Sequence, residues 1–258
     1  MLVVYYSQFA IHFASIMKSF FLVIIALLIL SPYVSAQKRF SKTYPANRNV
    51  RLQLMNRSGT VTVLGWERNE VRITAQMEAP SAKIEPEVSN ESLLINVVRD
   101  NQGRGDVGDV NFEVRVPFNS TVDIETKMGN LTVRDVSGSM VRAKISLEGD
   151  ISLSNIKSTT VMADNMVGDI FFDGELQQGG TYRFNLTRGE INIRIPFTSS
   201  FRLAATAPSS RNIELGSFST GGGLSFVSEG RKVIGNVGDG RASLTILNKR
   251  GNISFIKR

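Results

Sequence analysis

The chain has 258 residues, 42% of them hydrophobic, with 30 Lys and Arg against 23 Asp and Glu and a formal charge of +7. It contains no cysteine and one histidine, His12, which falls in an apolar leader. Disulfides, thiol chemistry, zinc sites built on thiolate or imidazole, and Ser-His-Asp or Cys-His catalysis are all excluded for the chain beyond that leader.

The leader reads "MKSFFLVIIALLILSPYVSA" from Met17: a lysine, an apolar run from Phe20 to Leu30, a helix-breaking Ser31-Pro32 and small residues at Val34-Ser35-Ala36. This is the pattern of a secretory signal cleaved before Gln37, and Met17 is a better start for it than Met1. The apolar run is short of the roughly 20 residues that span a bilayer. The expectation is a signal peptide over 1–36 and a single domain over 37–258. The protein is then exported, to the periplasm, the cell surface or the medium, with no membrane span after cleavage. Lys18 is the one charged residue lost with the leader, which leaves 29 basic groups against 23 acidic ones. They are spread thinly and without interleaved aromatics, so nucleic acid is not an expected partner.

A short unit follows and recurs along the rest of the chain: a glycine, a small or acidic polar residue, then an apolar-x-apolar strand. It starts at Gly59 ("GTVTV"), Gly108 ("GDVNF"), Gly129 ("GNLTV"), Gly149 ("GDISL"), Gly168 ("GDIFF"), Gly189 ("GEINI") and Gly251 ("GNISF"). From Gly108 to Gly189 the steps are 21, 20, 19 and 21 residues, and the 62 residues to Gly251 are close to three more. "RNIEL" at 211–215 fills the first gap with Arg211 for glycine, and the second, near Gly230, is degenerate. Half a period on lies another turn signal, as in "RDVSGS" at 134–139 and "SNIKST" at 154–159. Each unit is then two short strands and two turns, with alternate residues facing inward. The prolines of 78–92 mark that stretch as a loop. A constant period near twenty predicts an all-β solenoid of eleven or so coils. The alternative is an antiparallel β-sandwich with turns at the same rhythm.

The unit "GNLTVRDVSGSMVRAKISLEGDISLSNI", with "LQLMNRSGTVTVLGWERNEVRITAQ" and its lone Trp66 before it, resembles the exported bacterial "putative adhesin" family, a β-strand-repeat domain of unknown function. The resemblance spans about 47–258. It implies an envelope location and a solenoid-like all-β fold, and it carries over no catalytic residue.

Stacked coils place Asp109, Asn130, Asp150, Asp169 and Glu190 in one file. Carboxylates at ladder spacing repel, so such a row must be exposed, splayed or neutralised. Solvated turn residues are the plain reading. A Ca²⁺ file of Asp109, Asp150, Asp169 and Glu190 is the speculative one, and a glycan-cleaving carboxylate pair is a third. Arg104-Gly105-Asp106 and the glycine-rich 219–226 read as loop composition. Trp66, Phe112, Phe172 and Phe184 read as core rather than as a sugar platform, and Arg115, Arg134 and Arg194 as solvated strand ends. The expectation is a non-catalytic envelope or surface protein, without cofactor, that binds or scaffolds through a rigid β-repeat face. Its partner is then an envelope polysaccharide or a surface protein. A polysaccharide hydrolase or lyase and a self-assembling scaffold built through exposed coil ends are the alternatives.

Overall fold

The computed structural model describes residues 38–89, 91–220 and 223–256. The expected leader, with Met17 and His12, lies outside the described residues. Strand β1 (Lys38–Pro45) comes first, then a coil made of β2 (Arg51–Met55) and β3 (Val61–Trp66). Strands β4 (Glu70–Met77) and β5 (Glu87–Val88) interrupt the repeat, and β6 (Ser92–Asn96) and β7 (Val110–Pro117) form a second coil. Four coils follow without interruption. They are β8 (Thr121–Met128) with β9 (Leu131–Arg134), and β10 (Met140–Glu148) with β11 (Ile151–Ile156). Next come β12 (Thr160–Val167) with β13 (Ile170–Gly174), and β14 (Thr181–Arg188) with β15 (Ile191–Arg194). The seventh is β16 (Phe201–Thr206) with β17 (Ile213–Glu214). A hairpin of β18 (Leu224–Val227) and β19 (Lys232–Val237) then precedes the eighth, β20 (Ala242–Asn248) with β21 (Ile253–Phe255).

The first strand of each coil joins one sheet and the second joins another. Neighbouring coils pair in parallel, residue against equivalent residue, as with Ile151 beside Leu131 and Ile170. This is a two-sheet β-solenoid, and the parallel ladders rule out the antiparallel sandwich. One sheet, here sheet A, has the order β1-β4-β7-β3-β9-β11-β13-β15-β21-β17, and sheet B has the order β18-β19-β16-β20-β14-β12-β10-β8-β2-β6-β5.

Among the described residues there are eight coils rather than the eleven or so expected, because β1, β4, β5, β18 and β19 run antiparallel at the ends instead of coiling. The stacking order also departs from chain order. The first coil is clamped between the second and third, and the last is clamped between the sixth and seventh. Each of these two coils is therefore hydrogen-bonded on both sides, which opposes the fraying expected of terminal segments.

The core lies between the sheets. Val63, Val133, Leu153, Phe172, Ile193 and Phe255 form one inward file in register, and all are buried. Small and large residues complement one another across the ladder. Ala143 and Ala163 lie in register with Phe184, whose ring meets Phe172 at 5.1 Å. Phe112, Phe172 and Phe184 are core, as their alternation suggests.

Tyr182 is buried too. Its hydroxyl accepts the Gln177 N–H at 2.6 Å and donates to the Ser158 carbonyl at 3.0 Å. Burial pushes this phenol above its ordinary pKa, and the Gln177 N–H opposes the rise by favouring phenolate. A folded-state pKa above the unfolded value contributes stability below about pH 10 that is lost as pH rises through the folded value. Stability of the wild type should therefore fall more steeply than that of Tyr182→Phe from about pH 10 upward. Melting temperatures measured across that range check it.

At the corner leading from sheet B to sheet A, Gly59, Gly129, Gly149, Gly168, Gly189 and Gly251 stack, all with positive φ. A Cβ on Gly189 would lie 2.0 Å from the Gly168 carbonyl oxygen, and one on Gly251 would lie 1.7 Å from that of Gly189. Neither side chain nor ordinary φ fits there. Gly189→Ala should cost on the order of 3 kcal/mol or more. Gly105→Ala, where nothing lies within 4 Å, should stay within about 0.5 kcal/mol of wild type. Urea unfolding of the two variants gives the comparison.

Candidate functional surface

The residue after each corner glycine immediately precedes a sheet-A strand, and its side chain reaches to the next coil. Asn130 Oδ1 accepts the Asp150 N–H at 2.9 Å, Asp150 Oδ1 accepts the Asp169 N–H at 2.8 Å, and Asp169 Oδ1 accepts the Glu190 N–H at 2.8 Å. Glu190 Oε1 ends the series by accepting from Asn252 Nδ2 at 3.3 Å. The file is a hydrogen-bond ladder that locks coil to coil. Each main-chain donor offsets part of the repulsion between successive carboxylates.

Asp109 stands outside this ladder. β7 pairs with β3 so that Phe112 lies beside Val61, which places Asn111 in the file. Asn111 Oδ1 accepts the Thr60 N–H at 2.8 Å, whereas Asp109 gives its backbone carbonyl to the Glu78 N–H. Gly108 is likewise not a member of the glycine file. It abuts Glu78, where a Cβ would lie 2.7 Å from backbone. Among the described residues no three His, Cys, Asp or Glu side chains gather as metal ligands.

A second file at the same corner escaped the sequence reading. Asn56, Asn165 and Asn248 point inward, buried, three residues before Gly59, Gly168 and Gly251. Their Nδ2 groups donate to the carbonyls of Val110, Gly149 and Gly189 at 2.9, 2.7 and 2.8 Å. The signal was an Asn-x-x-Gly spacing, present three times and easily taken for turn composition.

The outer face of sheet B carries pairs that cross from coil to coil. Arg142 bonds Asp123 at 2.9 Å, Lys144 bonds Glu125 at 2.8 Å, and Asn185 donates to Asp164 at 2.7 Å. Near the glycine corner a groove of about 570 Å³ crosses four coils, lined among others by Lys144, Asp164, Met166, Asn185, Leu247 and Lys249. Here β10 has one residue more than either neighbour between Ile145 and Glu148. Such a bulge bends the strand and re-aims its side chains. Asp164 is the one carboxylate in the described lining. Among the described residues no ion pair holds Lys249, whereas Lys144 is bound to Glu125.

Other sequence candidates are dispersed. Trp66 is half-buried, its Nε1 donating to the Glu70 carbonyl at 2.8 Å, with the Arg68 and Arg115 guanidiniums 5.3 and 5.9 Å from its ring. Arg194 bonds Asp173 at 2.9 Å and lies over Phe171. Asp106 of the Arg-Gly-Asp stretch pairs with Arg57 at 3.0 Å. A cleft of about 480 Å³, walled by Phe197, Phe218, Phe255 and Ile256, opens beside the terminal coils.

A family model described as Toastrack DUF4097 matches residues 33–255. The chain belongs to this family. Solved structures similar to it include a "putative cell adhesion protein" from Clostridium sporogenes, 13% identical, which covers 86% of this chain and 100% of its own with a TM-score of 0.49. A "putative adhesin" from Bacteroides fragilis is 11% identical over 86% of this chain and 99% of its own, with a TM-score of 0.34. A "putative lipid binding protein" from Parabacteroides distasonis is 10% identical over 85% and 97%, with a TM-score of 0.33. No curated protein matches the chain. Among the described residues of this Toastrack chain, no helix is long and apolar enough to cross a membrane.

The ladder accounts for Asp150 by its acceptor oxygen, a role that Asn130 fills already. Asp150→Asn should therefore unfold in urea with the wild-type midpoint, while Asp150→Ala should lose about 1 kcal/mol with the Asp169 N–H left unpaired.

Proposed function

We propose that this Toastrack domain is an exported envelope protein that works without catalysis, holding an extended polysaccharide in the sheet-B groove. The observation that carries this reading is the groove itself. It presents amide, ammonium and apolar groups from four successive coils, repeated at the roughly 4.8 Å spacing of stacked strands. A chain molecule laid across the strands meets a fresh set of contacts at every coil. The frame beneath is fixed by glycine, carboxylate and asparagine files, so little ordering cost falls on the protein when it binds.

The lining argues for holding over cutting. Acid–base glycoside cleavage uses two carboxylates roughly 5–9.5 Å apart across the scissile bond, and the described lining offers Asp164 alone, already bonded to Asn185. Among the described residues Lys249 is in no ion pair, and a free cation in the lining favours an anionic or carboxylated glycan. The leader pattern agrees with export.

The test is retention of the purified protein on a panel of envelope and extracellular glycans, with Ca²⁺ and with chelator, while new reducing ends are followed in the same wells. Retention without cleavage, undiminished by chelator, is the expected result. Lys249→Glu should weaken it about tenfold or more. Release of reducing ends would make the protein an enzyme, and retention on none of the glycans would remove polysaccharide as the ligand.

A further inference from the structure

The four outermost strands of the two sheets are not alike. On sheet A, β1 carries Lys38, Arg39, Lys42 and a terminal Pro45, and β17 has two residues. On sheet B, β5 also has two residues. Short length, lysine and proline are the ordinary guards against edge-to-edge pairing. β18, "LSFV", has none of them, and its Phe226 is 55% exposed.

Its backbone pattern decides what can pair there. Asn236 donates to the Gly223 carbonyl, so Gly223 and Asn236 are a hydrogen-bonded pair across the β18–β19 hairpin. Alternation along an antiparallel ladder then makes Ser225–Ile234 and Val227–Lys232 the next bonded pairs. The N–H and C=O groups of Leu224 and Phe226 therefore point to the outer edge of sheet B, where no further strand pairs among the described residues. Their neighbours alternate between faces. Phe226 lies on the side of buried Val233, and Ser225 lies on the outer side with Ile234.

We propose that β18 is a dimer interface, pairing antiparallel with β18 of a second copy about a two-fold axis at Ser225. In this register Leu224 of each copy faces Phe226 of the other. Every outward N–H and C=O of the two residues is then satisfied, through four main-chain hydrogen bonds. On the inner side, each Phe226 ring packs against the partner's Leu224 across the new ladder. The two Ser225 residues meet at the axis as a non-hydrogen-bonded pair, the closest approach in such a ladder. No charge is placed against a like charge. The contact uses the same patch on both copies, so it closes at two and does not propagate into a filament. The exposed ends that sequence alone offered as a route to filaments are thus reduced to one edge that stops at a dimer.

Sedimentation velocity and light scattering on the purified protein test this, along with two substitutions at the axis. The interface is small, so a concentration-dependent dimer is expected. Ser225→Lys, which sets two ammonium groups together at the axis, should abolish it while the far-UV spectrum stays unchanged. Ser225→Cys introduces the sole thiol into a chain that has no cysteine. On mild oxidation it should give a covalent dimer, since the expected Cα separation of about 4.5 Å lies within disulfide reach. Ser152→Cys, on sheet A, should remain monomeric under the same treatment. A wild type that stays monomeric up to about 1 mM, a Ser225→Lys variant that still dimerises, or Ser225→Cys that cross-links no faster than Ser152→Cys would overturn the proposal.

Discussion

The fold depends on how closely one coil's backbone approaches the next at a single corner. A Cβ placed on Gly59, Gly129, Gly149, Gly168, Gly189 or Gly251 would come within 2.5 Å of a carbonyl oxygen on the adjacent coil. The corner therefore closes only without a side chain, and with the positive φ that glycine tolerates. Once it closes, the following N–H points along the stack, where the side chain of the equivalent residue one coil away can accept it. The acidic file follows from this geometry. That N–H calls for a short acceptor side chain, and Asn130, Asp150 and Asp169 supply it. The inward asparagines complete the corner from the core side, their amides taking up carbonyls at Val110, Gly149 and Gly189 that would otherwise be buried without a donor.

Because this constraint repeats, the sequence displays it, and the solenoid, its period and its two turns per coil are legible in the order of the residues alone. The signal fails where the constraint is relaxed. At one end of the stack the corner position belongs to Val110, which is neighboured by antiparallel β4 rather than by a further coil, so a side chain is tolerated. A glycine and an aspartate two residues earlier, Gly108 and Asp109, then mimic the motif in the wrong register. At the other end Arg211 takes the corner with φ 55, and its substitution for glycine is readable because Ile213 still pairs beside Ile253. The number and order of coils are less legible. Parallel edges of equivalent coils are interchangeable as hydrogen-bonding partners, so nothing in the repeat says that the last coil is inserted between the sixth and the seventh. The hairpin of β18 and β19, occupying the place of a degenerate repeat, forces that return.

The groove was beyond sequence reasoning for a related cause. It lies where β10 carries one extra residue, and the glycine steps of 20 and 19 on either side of Gly149 absorb that residue without marking it. Its lining comes from positions that read as ordinary outward strand residues, separated by a coil or more in the chain. What brings Lys144, Asp164, Asn185 and Lys249 together is the stacking, and the stacking is set at the corner by the glycine file, none of which lines the groove. A substitution in the glycine file would act on ligand binding only by loosening the frame. A substitution in the lining would leave the frame intact, so the two classes of variant separate stability from recognition.

The open edge bears on recognition as well. An antiparallel pair joined edge to edge has its two-fold axis perpendicular to the sheet, so the outer faces of both copies of sheet B lie on the same side. Two grooves would then face one polymer. For a long ligand of repeating chemistry, the second engagement is intramolecular, and overall avidity can exceed that of a single groove by orders of magnitude without any new contact. A rigid frame suits this arrangement, because a flexible one would spread the second groove over many orientations and lose the gain.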